Sequence, residues 1–183
     1  MSGFRRIGEE TLHRGRVVHL VRASFEGPAG ERFDRDLVHS MGAVAVVAVD
    51  DAGSGPEVVL LRQYRPALDD WLLEIPAGLR DKPGEPPEAT AARELAEEAG
   101  LAADRYELLT VFANAAGMTD QRTHVYLASG LRQVPAAADG VEEQYLELLR
   151  FPLARVLDAV ASGELADAKT VIGLLLACQR YAS

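Results

Sequence analysis

Arg93-Glu94-Leu95-Ala96-Glu97-Glu98-Ala99-Gly100-Leu101 is the stretch on which the reading of this chain turns. Glu94, Glu97 and Glu98 stand at i, i+3 and i+4, so an α-helix would carry all three carboxylates on one face within a single turn. Ala92, Leu95, Ala96 and Ala99 fall on the opposite face and are expected to be buried. The helix is expected to open at Glu85-Pro86-Pro87, because proline is tolerated in a first turn and Glu88 suits the positive end of the dipole. Gly100 is its expected stop. Three carboxylates with no lysine between them repel one another, at a cost of about a few tenths of a kcal/mol per pair. A hard divalent cation, Mg²⁺ or Mn²⁺, prefers oxygen ligands and would offset that cost. The triplet taken alone reads more readily as a solvated acidic face, and it is the context that favours the cation.

Outward from the helix, the short apolar strand Leu72-Leu73-Glu74-Ile75 leads into Pro76-Ala77-Gly78, followed by an irregular loop from Leu79 to Gly84. A strand, a glycine and then a carboxylate helix bring backbone carbonyls near the acidic face, and hard-metal sites often mix the two ligand types. Arg93, beside Glu94, can pair with a carboxylate such as Glu85 and fix the helix against its loop. Further upstream, Ala43 to Val49 is nearly continuous in Val and Ala, the pattern of a strand covered on both faces. A turn cluster, Asp50 to Pro56, separates it from a partner strand, Val58 to Tyr64. Val17 to Val21 and Arg32 to His39, joined through a turn at Glu26 to Gly30, predict a hairpin. Downstream, strands are expected at Tyr106–Phe112, His124–Ala128 and Tyr145–Phe151, then a helix from Pro152 to near Gly163 and an amphipathic helix from Asp167 to Tyr181. Strands on both sides of a mid-chain helix, with a helical tail, place the chain in the α+β or mixed α/β class.

Composition narrows the function. The 183 residues are 48% hydrophobic and 26% charged, enough for a core without staples. The single cysteine, Cys178, excludes an internal disulfide and reads as a small buried hydrophobe in the apolar run from Ile172. The net charge of −9 argues against a nucleic-acid or anionic-membrane partner, which would need a basic patch. It permits a small phosphorylated ligand where a cation inverts the local field. The longest apolar run, Met41 to Val49, is far below the roughly 20 residues a bilayer needs. Met1 to Glu10 has no apolar signal-peptide core, so the expected setting is cytoplasmic. His13, His19, His39 and His124 show no metal-ligand spacing, and no dinucleotide fingerprint, phosphate-loop motif or nucleophile elbow is present.

The pattern Gly78-x6-Glu85-x7-Arg93-Glu94-Leu95-x-Glu97-Glu98-x-Gly100-Leu101 resembles the Nudix box, the signature of hydrolases that split nucleoside diphosphates linked to another moiety. From Glu85 onward it matches without exception; six residues stand between Gly78 and Glu85, one more than usual, as in some bacterial ADP-ribose pyrophosphatases. The likeness extends over most of the chain: His39 to Val47 resembles the strand that opens the domain, and Gln63-Tyr64-Arg65 and Trp71 to Gly78 resemble its approach to the box. The N-terminal hairpin resembles a small sheet that such enzymes exchange within a homodimer. The resemblance thus implies a mixed central sheet between helices with a small N-terminal antiparallel sheet, divided as a β-hairpin region at 1–40 and a Nudix domain at 41–183.

Carried over, the resemblance implies that Glu94 and Glu98 bind Mg²⁺ or Mn²⁺ directly with the carbonyl of Ala77, and Glu97 directly or through water. Glu85, Arg93 and Gly78 would orient the helix, Arg65 would contact a phosphate or the terminal ribose, and Trp71 or Tyr64 would line the adenine pocket. A structural role for Trp71 is the alternative. The general base would be Glu143 or, second, Glu142, in the late loop Gly140-Val141-Glu142-Glu143-Gln144. One position departs from the subfamily: Ala116 stands where a proline is usual. The implied activity is hydrolysis of the pyrophosphate bond of a nucleoside diphosphate sugar, ADP-ribose giving AMP and ribose 5-phosphate. The rivals are another nucleoside diphosphate derivative or a triphosphate, and a non-catalytic ADP-ribose-binding module. The implied partners are the small-molecule substrate and a second copy of the chain.

Overall fold

A computed structural model describes residues 3–51, 53, 55–136 and 145–182. They fall into two compact units, one of residues 1–42 with 113–122 and one of residues 43–112 with 123–183.

The first unit carries an antiparallel sheet in the order β1 (Arg5–Arg14), β2 (His19–Glu26), β3 (Arg32–His39). The expected hairpin is therefore a three-stranded sheet. Val17 and Val18, expected in a strand, lie in the exposed connection before β2, closed by the Gly15 N–H on the Val18 carbonyl at 2.9 Å. All ten residues of β1 are exposed, so no apolar alternation marked it in the sequence. Phe25 and Phe33 stack across β2 and β3 with centroids 5.4 Å apart. At the end of β3 the His39 ring lies between two carboxylates, Nδ1 2.5 Å from Asp120 Oδ2 and Nε2 3.1 Å from Glu9 Oε2. Asp120 Oδ1 also accepts the Ser40 N–H, and the Met118 carbonyl accepts the Val38 N–H, both at 2.9 Å.

In the second unit both faces of β4 (Ala43–Asp50) are buried, as its run of Val and Ala requires. The strands β5 (Glu57–Arg65), β6 (Asp70–Glu74), β7 (Ala77–Leu79), β8 (Leu101–Ala113), β9 (Arg122–Gln133) and β10 (Glu147–Pro152) join it in one mixed sheet. The order is β10-β5-β4-β9-β8, with β6 also paired to β5 and β7 to β4. β4 runs parallel to β9 and antiparallel to β5 and β7. α1 (Pro87–Ala99) covers one face and α2 (Val156–Ser162) with α3 (Ala168–Tyr181) the other. Val44, Val46 and Ala48 pack with Ala91, Leu95 and Ala99 of α1; Ala45, Val47 and Val49 pack with Val156, Ala159, Leu174 and Ala177. The fold is thus the mixed α/β architecture expected, with a mixed sheet between helices in one unit and a small antiparallel sheet in the other.

A 13-residue helix is marginal by itself in water, so α1 depends on this packing. Its buried apolar residues are Ala91, Leu95 and Ala99; Ala92 and Ala96, expected on that face, are half-buried at its edges. Complete burial of Leu95 alone contributes roughly 1.5–3 kcal/mol. Gly100 ends the helix in the left-handed region, φ 62°, and its N–H closes on the Ala96 carbonyl at 3.1 Å. The helix expected from Pro152 begins as a single 3₁₀ turn, Leu153–Arg155, before α2. Cys178 is half-buried, with Sγ 3.7 Å from the Leu153 carbonyl. Among the described residues no helix is long and apolar enough to cross a membrane.

Candidate active site

The site is built where the sheet edge meets α1. After β6, Ile75 and Pro76 carry the chain into β7, and the Pro76 carbonyl accepts the Val46 N–H at 2.8 Å. Gly78 lies directly beneath the helix: a Cβ there would stand 2.1 Å from Cδ of Glu94 and 2.3 Å from both its oxygens. Only glycine lets that carboxylate rest on the strand. One turn further along α1, Glu98 Oε2 accepts the Ala77 N–H at 2.8 Å. Two of the three carboxylates are therefore aimed at the same two residues of β7.

Arg93 ties the rest together. Its Nη1 donates to Glu94 Oε1 at 2.7 Å and to Glu97 Oε2 at 2.9 Å; its Nη2 reaches Glu85 Oε2 and Asp81 Oδ1, each at 3.3 Å. The expected pairing with Glu85 is present. Two expectations change. The triplet is not solvated throughout, because Glu94 is only 9% exposed. Its repulsion is also relieved from within, by a guanidinium shared among four carboxylates. Among the described residues, no three His, Cys, Asp or Glu side chains stand in cation-holding geometry.

The electrostatics show which carboxylate remains undersupplied. Burial pushes the Glu94 carboxyl above the usual carboxylate range, and Arg93 only partly opposes it. Glu85 is pulled down, chiefly by its bond to Arg93. Burial opposes the charge of Arg93, but Glu85 and Glu97 outweigh it and raise its pKa. Glu94 is buried, oxygen-only in chemistry, and shares a single arginine with three neighbours. The chemistry of that donor set, with Glu98 of α1 bonded to Ala77 of β7, fits a hard divalent cation.

A second group borders the same strand. Arg65, at the end of β5, donates from Nε and Nη2 to the two oxygens of Glu74, each at 2.6 Å. Glu74 is 1% exposed and also pairs with Lys169 of α3. Burial would raise the Glu74 carboxyl, but Arg65 and Lys169 prevail and lower it. The Glu98 charge is felt at Arg65, which connects the two groups. Tyr64 and Trp71 form an edge-on aromatic pair with centroids 5.7 Å apart, and Arg62 lies 4.5 Å over the indole. Tyr64 donates its hydroxyl to Asp69 Oδ1 at 2.5 Å. Trp71 is 37% exposed, a surface aromatic rather than a core one. Glu142 and Glu143 lie outside the described residues.

Glu74 and Lys169 were not singled out in the sequence. Glu74 did carry a signal: a carboxylate inside the apolar run Leu72-Leu73-Glu74-Ile75 must find partners if that run is buried. Lys169 carried none, since its partner lies 95 residues away.

The NUDIX domain profile matches residues 39–170. The ADP-ribose pyrophosphatase of Mycobacterium tuberculosis (strain ATCC 25618 / H37Rv) is 41% identical over 172 residues, which cover 94% of this chain and 82% of that protein. The methanol dehydrogenase activator of Bacillus methanolicus is 37% identical over 168 residues, covering 92% and 89% respectively. The crystal structure of an ADP compounds hydrolase aligns with a TM-score of 0.84 over 98% of this chain and 94% of that one; at 24% identity this is a likeness of fold. Nudix hydrolases generally use divalent metal ions. With the profile spanning residues 39–170 and the box seated on β7, the chain belongs to the NUDIX family.

Proposed function

We propose that this chain is a metal-dependent pyrophosphohydrolase that cleaves ADP-ribose to AMP and ribose 5-phosphate. The observation that carries the reading is the seating of Glu94 on the bare Cα of Gly78, with Glu98 anchored on Ala77 beside it. The 41% identity to an ADP-ribose pyrophosphatase supports the choice of sugar. Glu94 and Glu98, with Glu97 and the Ala77 carbonyl, would hold Mg²⁺, with Mn²⁺ as the substitute. Bound there, such an ion would supply neutralisation of phosphate charge and a more acidic water.

The chain's own residues do the remaining work. Arg93 and Glu85 hold α1 at the angle that keeps the carboxylates on β7. Arg65 offers its guanidinium to a phosphate or to the terminal ribose, and Trp71 with Tyr64 supplies the apolar face for adenine. Glu143, with Glu142 as the second choice, takes the proton of the attacking water. Water adds to one phosphorus as its bond to the bridging oxygen breaks, and that oxygen leaves on the other phosphate, giving two monoesters. Residues 1–40 act as a dimer-forming region and 41–183 as the catalytic domain of a cytoplasmic homodimer. The fully exposed β1, with Ile7 and Leu12 uncovered, supports a partner copy there.

The test is hydrolysis of ADP-ribose, ADP-glucose, GDP-mannose, NADH and nucleoside triphosphates with Mg²⁺ or Mn²⁺, products resolved by chromatography. ADP-ribose should be turned over fastest, only with metal, to AMP and ribose 5-phosphate. Cleavage of triphosphates alone would overturn the substrate; metal-independent turnover would overturn the site.

A further inference from the structure

Lys169 is an unusual choice for its position. It is the second residue of α3, where a positive charge opposes the helix dipole. It is 13% exposed, so water does little to offset that cost. Its ammonium instead lies on Glu74 and, at 3.0 Å, on Asp167 Oδ2. Asp167 caps α3, accepting the Thr170 N–H at 3.0 Å and its hydroxyl at 2.6 Å, and the Thr170 hydroxyl oxygen accepts the Ile75 N–H at 3.0 Å. The first turn of α3 is thus fastened to the strand end that carries Glu74. Glu74 in turn takes Arg65 through two parallel bonds, which fix the plane of the guanidinium. A planar guanidinium bound along its Nε–Nη2 edge presents Nη1 away from Glu74. That nitrogen has no hydrogen-bond partner among the described residues, and the side chain is 39% exposed.

We infer that Lys169 is a positioning residue for substrate binding, acting on Arg65 through Glu74. Two things follow from its ammonium. It occupies Glu74 Oε2 from the α3 side, so the carboxylate cannot turn and Arg65 is held in one orientation. It also shares the Glu74 charge, so the guanidinium is not fully neutralised and stays attractive to an anionic sugar phosphate or diphosphate. The inference rests on the reading of Arg65 as a substrate contact and adds its source of orientation and net charge.

The experiment compares wild type, K169M, K169Q, K169R, R65A and R65A/K169M for kcat and KM on ADP-ribose at saturating Mg²⁺, with thermal unfolding of each. K169M should raise KM about tenfold and leave kcat within about twofold, since the lost interaction serves binding. K169R should recover most of that KM. In the R65A background K169M should add no further increase, because the lysine has nothing left to orient. K169Q runs beside K169M to carry the comparison if the methionine variant does not fold. An unchanged KM in both variants, or an equal rise in KM with and without Arg65, overturns the inference while the wild-type hydrolase stands. A wild type inert toward every nucleoside diphosphate sugar overturns the proposed function first, and this inference with it.

Discussion

Glu74 and Glu94 are both buried glutamates bordering the strand between β6 and α1, yet their environments push them in opposite directions. Glu74 is lowered and Glu94 is raised. Burial penalises each, so the difference lies in the supply of cations. Around Glu74, two cations, Arg65 and Lys169, face two carboxylates, Glu74 and Asp167. Around Glu94, the single Arg93 is shared with Glu85, Glu97 and Asp81. The first cluster is balanced and serves to hold things still. The second carries an excess of negative charge in hard oxygen donors, the condition a divalent cation satisfies. Net charge per cluster, rather than the number of acidic residues, distinguishes the two.

The largest effect should come from neutralising the undersupplied glutamate. Glu94→Gln is expected to lower kcat by about 10²-fold or more while leaving the metal-free thermal midpoint unchanged or slightly higher. The sign on stability follows from the raised carboxyl: an uncharged amide of the same shape avoids a burial cost the carboxylate bears. Gly78→Ala should reproduce the loss of activity, because its Cβ would overlap Glu94 Cδ and drive that carboxylate off the strand. Glu97→Gln should cost less, since Glu97 is 35% exposed and water can take over part of its role. Steady-state kinetics with calorimetry of the metal-free protein would check all three. Strong destabilisation by Glu94→Gln would mean the two glutamates are alike and would break the comparison.

The next effect should be on stability, at the balanced cluster. Glu74→Gln leaves the mostly buried Lys169 and the part-exposed Arg65 facing a neutral amide; with Arg65 39% exposed and Asp167 still paired to Lys169, the cost is expected at about 1–3 kcal/mol. Urea unfolding of the metal-free protein should show a lower midpoint with an unchanged slope. A midpoint within error of wild type would show that Glu74 contributes no more than a surface pair.

These contrasts also mark what the amino-acid sequence discloses. The ends of α1 were legible because they are local: prolines at the start, Gly100 at the stop, and a three-to-four spacing between. β4 was legible because a strand covered on both faces has to be apolar throughout. β1 was not, because a strand exposed along its whole length leaves no hydrophobic trace. At the site, the grouping of Glu85, Arg93, Glu94 and Glu98 was legible from helical spacing and from the resemblance to the box. The role of Arg93 as a hub for four carboxylates was only partly so, since Asp81 reaches it through the irregular loop. The Glu74–Lys169 pair was out of reach: helix α3 returns to the strand end only once the sheet has formed, and no sequence spacing encodes that meeting.

The smallest effect is expected where one cation between two carboxylates can itself titrate. His39 sits between Asp120 and Glu9, with the His19 ring tilted against it at 5.6 Å and Arg6 bound to Glu9 at 2.7 Å. Its hydrogen bond to Asp120, then that to Glu9, raises its pKa, while Asp120 and Glu9 are lowered. A raised histidine contributes stability that is fully present below its unfolded value and is lost as pH rises through the folded one. The lowered carboxylates contribute stability present above their unfolded values and lost as pH falls through the folded ones. The first unit should therefore be tightest in the window between them, and it should loosen above the ordinary histidine range. Hydrogen exchange at the Val38 amide, bonded to the Met118 carbonyl, reads this directly. Corrected for intrinsic rates, its protection should fall by up to about fivefold between about pH 6 and about pH 9. His39→Gln should flatten that fall, because glutamine can bond to either carboxylate but cannot carry the charge. A fall that persists in His39→Gln would assign it to another group and limit the charge-supply argument to the two buried glutamates.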